Sequence, residues 1–174
     1  MEYTIGLLKY SRRTVSTPAE AMKILERFRD LPKEVMVVIH LKPDLSSESL
    51  QKSAVGTSEA CCFETSDIYR EAIVQEASGI IMAHSHPWQR RIRPSAEDIK
   101  ATRSLAIVGK EARMPLIDHI VFGKEDFYSF RARGKVLRAS PIYEIQKRRS
   151  TSSSSIKSST IKLLKKMSTS FFIR

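Results

Sequence analysis

Two rhythms of apolar and polar residues alternate along this chain. AEAMKILERF places Ala21, Ile24, Leu25 and Phe28 on one face of a helix. Thr17 and Pro18 fit its N-cap and first position, and its end falls near Asp30 to Pro32. EVMVVIHL (34–41) is a continuous, β-branched apolar run, the pattern of a buried strand. Before the helix, YTIGLLKY (3–10) reads as an edge strand. After the buried run, KPDLSSES (42–49) reads as a loop and LQKSAVG (50–56) as a second strand ending at Gly56. Thr65-Ser66-Asp67 opens another helix with Ile68, Ala72, Ile73 and Ala77 inward, and Gly79 closes it. IIMAH (80–84) is a third buried strand. Ser95 opens a helix to about Ala112, and PLIDHIVFG (115–123) with DFYSF (126–130) reads as a hairpin. Strands and helices in turn predict an α/β fold, a mixed β-sheet flanked by helices. No internal repeat is visible.

Past Arg138 the periodic signals fade, and residues 150–160 are almost entirely Ser and Thr. The expected organisation is an N-terminal edge strand and lead-in over 1–17, one domain over 18–138, and a basic, Ser-rich, disordered tail over 139–174. The net charge of +11 follows this division. Eight of those charges lie in residues 146–174, which hold no acid, and three remain for residues 1–145. Within the tail, TIKLLKKM (160–167) has the spacing of a basic amphipathic helix for an anionic membrane or a partner. As a coil it suits nucleic acid by charge, or simply a solvated end. The two cysteines, Cys61 and Cys62, are adjacent and have no third thiol to pair with, which implies a reducing compartment. No stretch has the form of a signal peptide or a membrane span, so a cytoplasmic protein is expected.

The chemistry concentrates in AHSHPWQRRIRPSAED (83–98). Residues two apart on a strand share a face, so His84 and His86 point the same way if the backbone stays extended. Two imidazoles together suit zinc, and Asp98 in the first turn of the next helix supplies a third ligand. Three protein ligands and a water form the open arrangement of a catalytic zinc, which brings the water's pKa to about 7. The alternative is purely structural: Ser95-x-x-Asp98 is also a capping box, with Pro94 before it. The two readings are compatible. Trp88, Arg90, Arg91 and Arg93 suit a nucleic-acid backbone and a stacked base, an acidic peptide, or a solvated loop. His119 reads as a structural group or an outer partner of the metal, and His40 as a satisfied core residue. A nucleophilic cysteine has little support. There is no G-x-S-x-G stretch and no Gly-rich phosphate loop.

HSHP followed by PSAED, then DIKATRSLAIVGKEA and LIDHIVFG, resembles the RadC-like branch of the JAB/JAMM (MPN) metal-dependent hydrolase family. Upstream, PKEVMVVIHL, SAVGT and DIYREAIVQEASGIIMAHSHP continue the likeness, over roughly residues 18–138. The resemblance implies a JAB/MPN, deaminase-like α/β fold. It also implies one Zn²⁺ per chain, held by His84, His86 and Asp98. Glu34 matches the glutamate that works on the activated water, and Ser95 the serine that supports the oxyanion. Spacing alone does not single out Glu34 over Glu26 or Glu71. The implied reaction is hydrolysis of an amide or isopeptide bond in a peptide substrate, with proton transfer by a carboxylate and oxyanion support by a hydroxyl. Two features depart from the family pattern. Eleven residues, Pro87 to Glu97, separate the second histidine from the aspartate, one more than the pattern has. WQRRIRP also replaces the branch's short Ser-Gly-Asp turn. A non-catalytic, nucleic-acid-binding accessory protein linked to DNA repair is the alternative, with contact through the basic loop and tail.

Overall fold

The computed structural model of the chain describes residues 6–55, 61–134 and 170–173. In chain order these form β1 (Gly6–Thr14), α1 (Pro18–Leu25), β2 (Val35–Leu41), β3 (Ser46–Val55), β4 (Cys61–Glu64), α2 (Thr65–Val74), β5 (Gly79–Ser85), α3 (Ala96–Glu111), β6 (Leu116–Phe122), β7 (Phe127–Ser129) and β8 (Ser170–Ile173). Six strands make one sheet in the order β1-β3-β2-β5-β6-β7. All neighbours run antiparallel except β5 and β6, which are parallel and joined by α3. This is the mixed sheet flanked by helices that the pattern predicts.

The continuous apolar runs are apolar because both faces of the central strands are covered. Val35, Val37, Ile39 and Leu41 of β2 join Ile81 and Ala83 of β5 beneath Ala21, Ile24, Leu25 and Phe28. Met36 and Val38 face the other way. With Ile80 and Met82 they pack under Ile68, Tyr69 and Ala72 of α2 and under Ala101, Leu105 and Val108 of α3. Full burial of each Val, Leu, Ile, Met or Phe side chain among them contributes about 1.5–3 kcal/mol. The α2 and α3 layer is what presses the start of α3 against the end of β5.

Several elements differ from expectation. β1 runs on to Thr14, and residues 3–5 lie outside the described part. α1 ends at Leu25, and Glu26–Phe28 continue as one 3-10 turn. The expected loop at 42–49 is only a tight turn. Lys42 N–H donates to Ser46 O, and Leu45 takes the left-handed conformation at φ 62°. Ser46 to Ser49 are already strand, paired with β1. Cys61–Glu64 form a short strand that the pattern does not show, with a partner far along the chain: Cys61 lies opposite Ile173 and Glu64 opposite Ser170. Residues 170–173 of the supposedly disordered tail are therefore strand. Its Ser-rich part and the TIKLLKKM segment lie outside the described residues. No described helix is long and apolar enough to cross a membrane.

Candidate metal centre

The site lies at the carboxyl end of β5, where open α/β sheets commonly hold their ligands. His84 sits near the end of that strand and His86 just past it, in a turn fixed by His86 N–H donating to Phe122 O at 2.7 Å. Their side chains share a side, as the two-residue period requires, and the two Nε2 atoms are 2.8 Å apart. Asp98 enters from above, as the third residue of α3. Ser95 caps that helix: Asp98 N–H donates to Ser95 Oγ at 3.1 Å, and Ser95 N–H donates to Asp98 Oδ2 at 2.6 Å. The capping box leaves the other carboxylate oxygen, Oδ1, 3.1 Å from His84 Nε2. Cap and ligand are thus two ends of one carboxylate.

The three ligand atoms lie within 4.8 Å of one another, and all three residues are buried. Two imidazole nitrogens and a carboxylate oxygen face each other. Among the described residues, Asp98 Oδ1 and Glu34 Oε2 have no hydrogen-bond partner although both are buried. Such arrangements are expensive unless something positive completes them. The donor set, two neutral nitrogens and one carboxylate oxygen, suits a zinc-type divalent ion and leaves coordination open. Asp98 is already tuned for that role. Burial would raise its pKa, but the neighbouring His84 and the Ser95 N–H hold it well below the usual carboxylate range. Burial in turn lowers the pKa of His86, reinforced by the charge of His84.

Glu34 reaches the centre through the sheet. β2 and β5 are antiparallel with Met36 opposite His84, so the start of β2 lies beside the end of β5. Val35 N–H donates to Ser85 Oγ at 3.0 Å and pins the two ends together. Glu34 is buried. Burial pushes its carboxyl up to about 7, opposed by the charge of His84 and reinforced by that of Asp98. A carboxyl poised near neutrality can take and return a proton at working pH. Ser95 Oγ accepts from Asp98 N–H, so its own hydroxyl proton stays free to donate.

Behind the ligands sits a residue that the sequence reading did not mark. Thr102, one turn after Asp98, contacts His119 Nδ1 at 2.6 Å, and His119 Nε2 contacts His84 Nδ1 at 2.9 Å. His119 is stacked on Phe130 with ring centroids 4.9 Å apart. It is an outer partner of His84, as read. The spacing Asp98 to Thr102, i and i+4 on one helix, was the available signal for the threonine. His40 is only half satisfied. Its Nδ1 contacts Ser49 Oγ at 3.2 Å, and its Nε2 has no partner among the described residues.

Trp88, Arg90, Arg91 and Arg93 do not join the cluster. They lie exposed on the connection from β5 to α3, with Trp88 68% exposed, and among the described residues none of the three arginines makes an ion pair. The loop is held by Ile92, which is buried against Val121 and Phe130.

Residues 15–135 match the family model of the RadC-like JAB domain. The chain is 30% identical over 131 residues to a UPF0758 protein of Chlorobium chlorochromatii (strain CaD3), covering 73% of this chain and 59% of that protein. It is 31% identical over 134 residues to one of Geobacillus sp. (strain WCH70), covering 76% and 59%. For one of Thermotoga maritima the identity is 33% over 106 residues, covering 61% and 47%. The chain thus spans about half to three-fifths of the length of these relatives. The matched span takes in five of the six strands of the main sheet and every residue of the buried cluster, and the chain belongs to the RadC-like JAB domain family.

Proposed function

We propose that this chain is a zinc-dependent hydrolase of amide or isopeptide bonds, a metallopeptidase, with one Zn²⁺ held by His84, His86 and Asp98. The observation that carries the reading is the convergence of three buried ligand side chains, with Asp98 Oδ1 left without a hydrogen-bond partner among the described residues, beside a buried glutamate whose pKa is raised to about 7. Zinc bound there would polarise the scissile carbonyl and bring the pKa of water to about 7. Glu34 takes the proton from the attacking water at its free Oε2 and returns it to the departing amine. The Ser95 hydroxyl, anchored by Asp98 N–H, donates to the oxyanion. Asp98 is held as an anion by the Ser95 N–H and does not compete for that proton. A cytoplasmic setting fits a sequence whose two cysteines, Cys61 and Cys62, are adjacent.

The test is zinc per chain, by elemental analysis, for wild type and Asp98→Ala. About one zinc in the wild type, lost in the variant, supports the site. Glu34→Gln should then keep its zinc and lose cleavage of peptide and isopeptide-linked substrates. A folded, zinc-free wild type would end the catalytic reading.

One observation favours a second reading, a nucleic-acid-binding accessory role: an exposed tryptophan among three exposed arginines that make no ion pair among the described residues. In that case affinity for single-stranded DNA falls steeply with salt, drops in the Arg90, Arg91 and Arg93 variants, and ignores Glu34→Gln.

A further inference from the structure

Behind the cluster, four groups run in a line from the main chain of one ligand to the ring of another. Thr102 Oγ1 lies 2.5 Å from the carbonyl oxygen of Asp98. Two oxygens that close need a proton between them, and the carbonyl has none to give. The Thr102 hydroxyl proton is therefore committed to Asp98 O. At its 2.6 Å contact with His119 Nδ1, the threonine oxygen can only accept, so His119 carries its proton on Nδ1. His119 is fully buried, flat against Phe130, and with the ring's proton placed on Nδ1 its Nε2 holds a lone pair. That lone pair faces His84 Nδ1 at 2.9 Å, and His84 must donate. The last consequence falls at the cluster. With its proton on Nδ1, neutral His84 has a bare Nε2, the atom that faces His86 Nε2 and Asp98 Oδ1.

We propose that Thr102 and His119 are positioning residues that hold His84 in its Nδ1–H tautomer, so that its Nε2 lone pair is permanently presented to a metal. The inference rests on the zinc reading above. A free histidine has two neutral tautomers, and only one of them offers Nε2 as a ligand. The relay removes that choice before metal arrives. It also ties two ligands together: the helix that supplies Asp98 supplies, one turn later, the hydroxyl that sets the proton on His84.

The chain has only four histidines, so long-range ¹H–¹⁵N correlation spectra of the full-length labelled protein can place the imidazole protons directly. The zinc-loaded wild type should show His84 and His119 each protonated at Nδ1. A His119 proton at Nε2 overturns the proposal without any variant. Thr102→Val keeps the shape and removes the acceptor. Zinc affinity, read by competition with a chelator, should fall about 10- to 100-fold, the usual effect of losing an outer partner. Thr102→Ser should restore it. A merely structural threonine gives a different result: lower thermal stability in Thr102→Val with unchanged zinc affinity, which also overturns the proposal. If Thr102→Val does not fold, the wild-type spectra decide. The two readings fail separately. Folded wild type that takes up no zinc defeats the metal reading and the relay's purpose together. Tight zinc binding by both wild type and Thr102→Val defeats the relay alone.

Discussion

Asp98 carries two jobs on two oxygens, and two substitutions separate them. In Asp98→Asn the amide oxygen can still accept the Ser95 N–H, now at 2.6 Å from Oδ2, so the cap survives. What changes is the other atom. A neutral NH₂ replaces the anionic oxygen 3.1 Å from His84 Nε2, and a donor faces the place where a cation would sit. The charge-assisted cap weakens by about 1 kcal/mol, and release of a buried carboxylate offsets part of this. For a chain of this size the melting temperature then stays within about 4 °C of wild type. Metal affinity falls by more than the roughly 10- to 100-fold that an outer partner is worth. Ser95→Ala does the reverse. It removes the hydroxyl that accepts Asp98 N–H at 3.1 Å, which costs about 1 kcal/mol, yet it leaves the backbone N–H that orients Asp98. It should therefore melt about 2–4 °C lower and still bind one zinc. The assay is paired: thermal unfolding of the metal-free proteins, and zinc per chain after equilibration with a chelator. If Asp98→Asn holds zinc like the wild type, or Ser95→Ala loses it as completely as Asp98→Asn, the division of labour is wrong.

Three further predictions concern the scaffold. Gly109→Ala should destabilise even though alanine favours a helix by about 1 kcal/mol: the new Cβ collides with the buried Tyr69 hydroxyl and sits 2.7 Å from Met114 O. Overpacking of about 1–3 kcal/mol wins, so a melting temperature above wild type would refute the contact. His40 is buried and neutral, its pKa lowered to about 4 first by burial and then by Lys42. The unfolded chain binds that proton more readily, so stability is lost as pH falls from about 6.5 through 4. The span is worth about 3 kcal/mol. Urea unfolding of wild type and His40→Leu should diverge by that amount across the window, and parallel curves would exclude it. Replacing Arg90, Arg91 and Arg93 together by alanine should leave zinc content and melting temperature unchanged, because all three are exposed and make no ion pair among the described residues. A loss of zinc would place the loop inside the site.

Local pattern revealed what local physics sets. The β-branched runs of β2, β5 and β6 can only be buried strands. The two-residue period put His84 and His86 on one side before any coordinates did. Asp98 was legible through its capping signal. Glu34 was not legible from spacing, because it reaches the cluster by antiparallel pairing of β2 with β5, fifty residues away in sequence. Resemblance to a family supplied that choice. Ser46 to Ser49 read as loop because serines favour turns when nothing else satisfies their hydroxyls. Here the sheet satisfies two of them: Ser47 Oγ meets Tyr10 Oη at 2.5 Å, and Ser49 Oγ meets His40 Nδ1 at 3.2 Å. β4 and β8 are four residues each and more than a hundred residues apart, a pairing with no local signature.

The longer connection between His86 and Asp98 raises the question of whether the aspartate can still reach the metal. The answer lies in what sets its position. His84 is fixed by β5, which is paired on both sides, and Asp98 by α3, whose Ala101 and Leu105 pack with Met36 and Met82. The distance between the two ligands is therefore decided by the packing of a helix on a sheet. The loop only has to span it, and loops tolerate insertions better than the elements they join. This loop also has its own anchor. Ile92 buries against Val121 and Phe130, and Gly123 lets it in: a Cβ there would lie 2.7 Å from Ile92 Cδ1. The connection is pinned at its middle, and the extra length is displayed outward as Trp88 and its arginines. An inserted residue in such a loop changes the exposed surface and leaves the packing of α3 on the sheet, which sets the distance from His84 to Asp98, as it is.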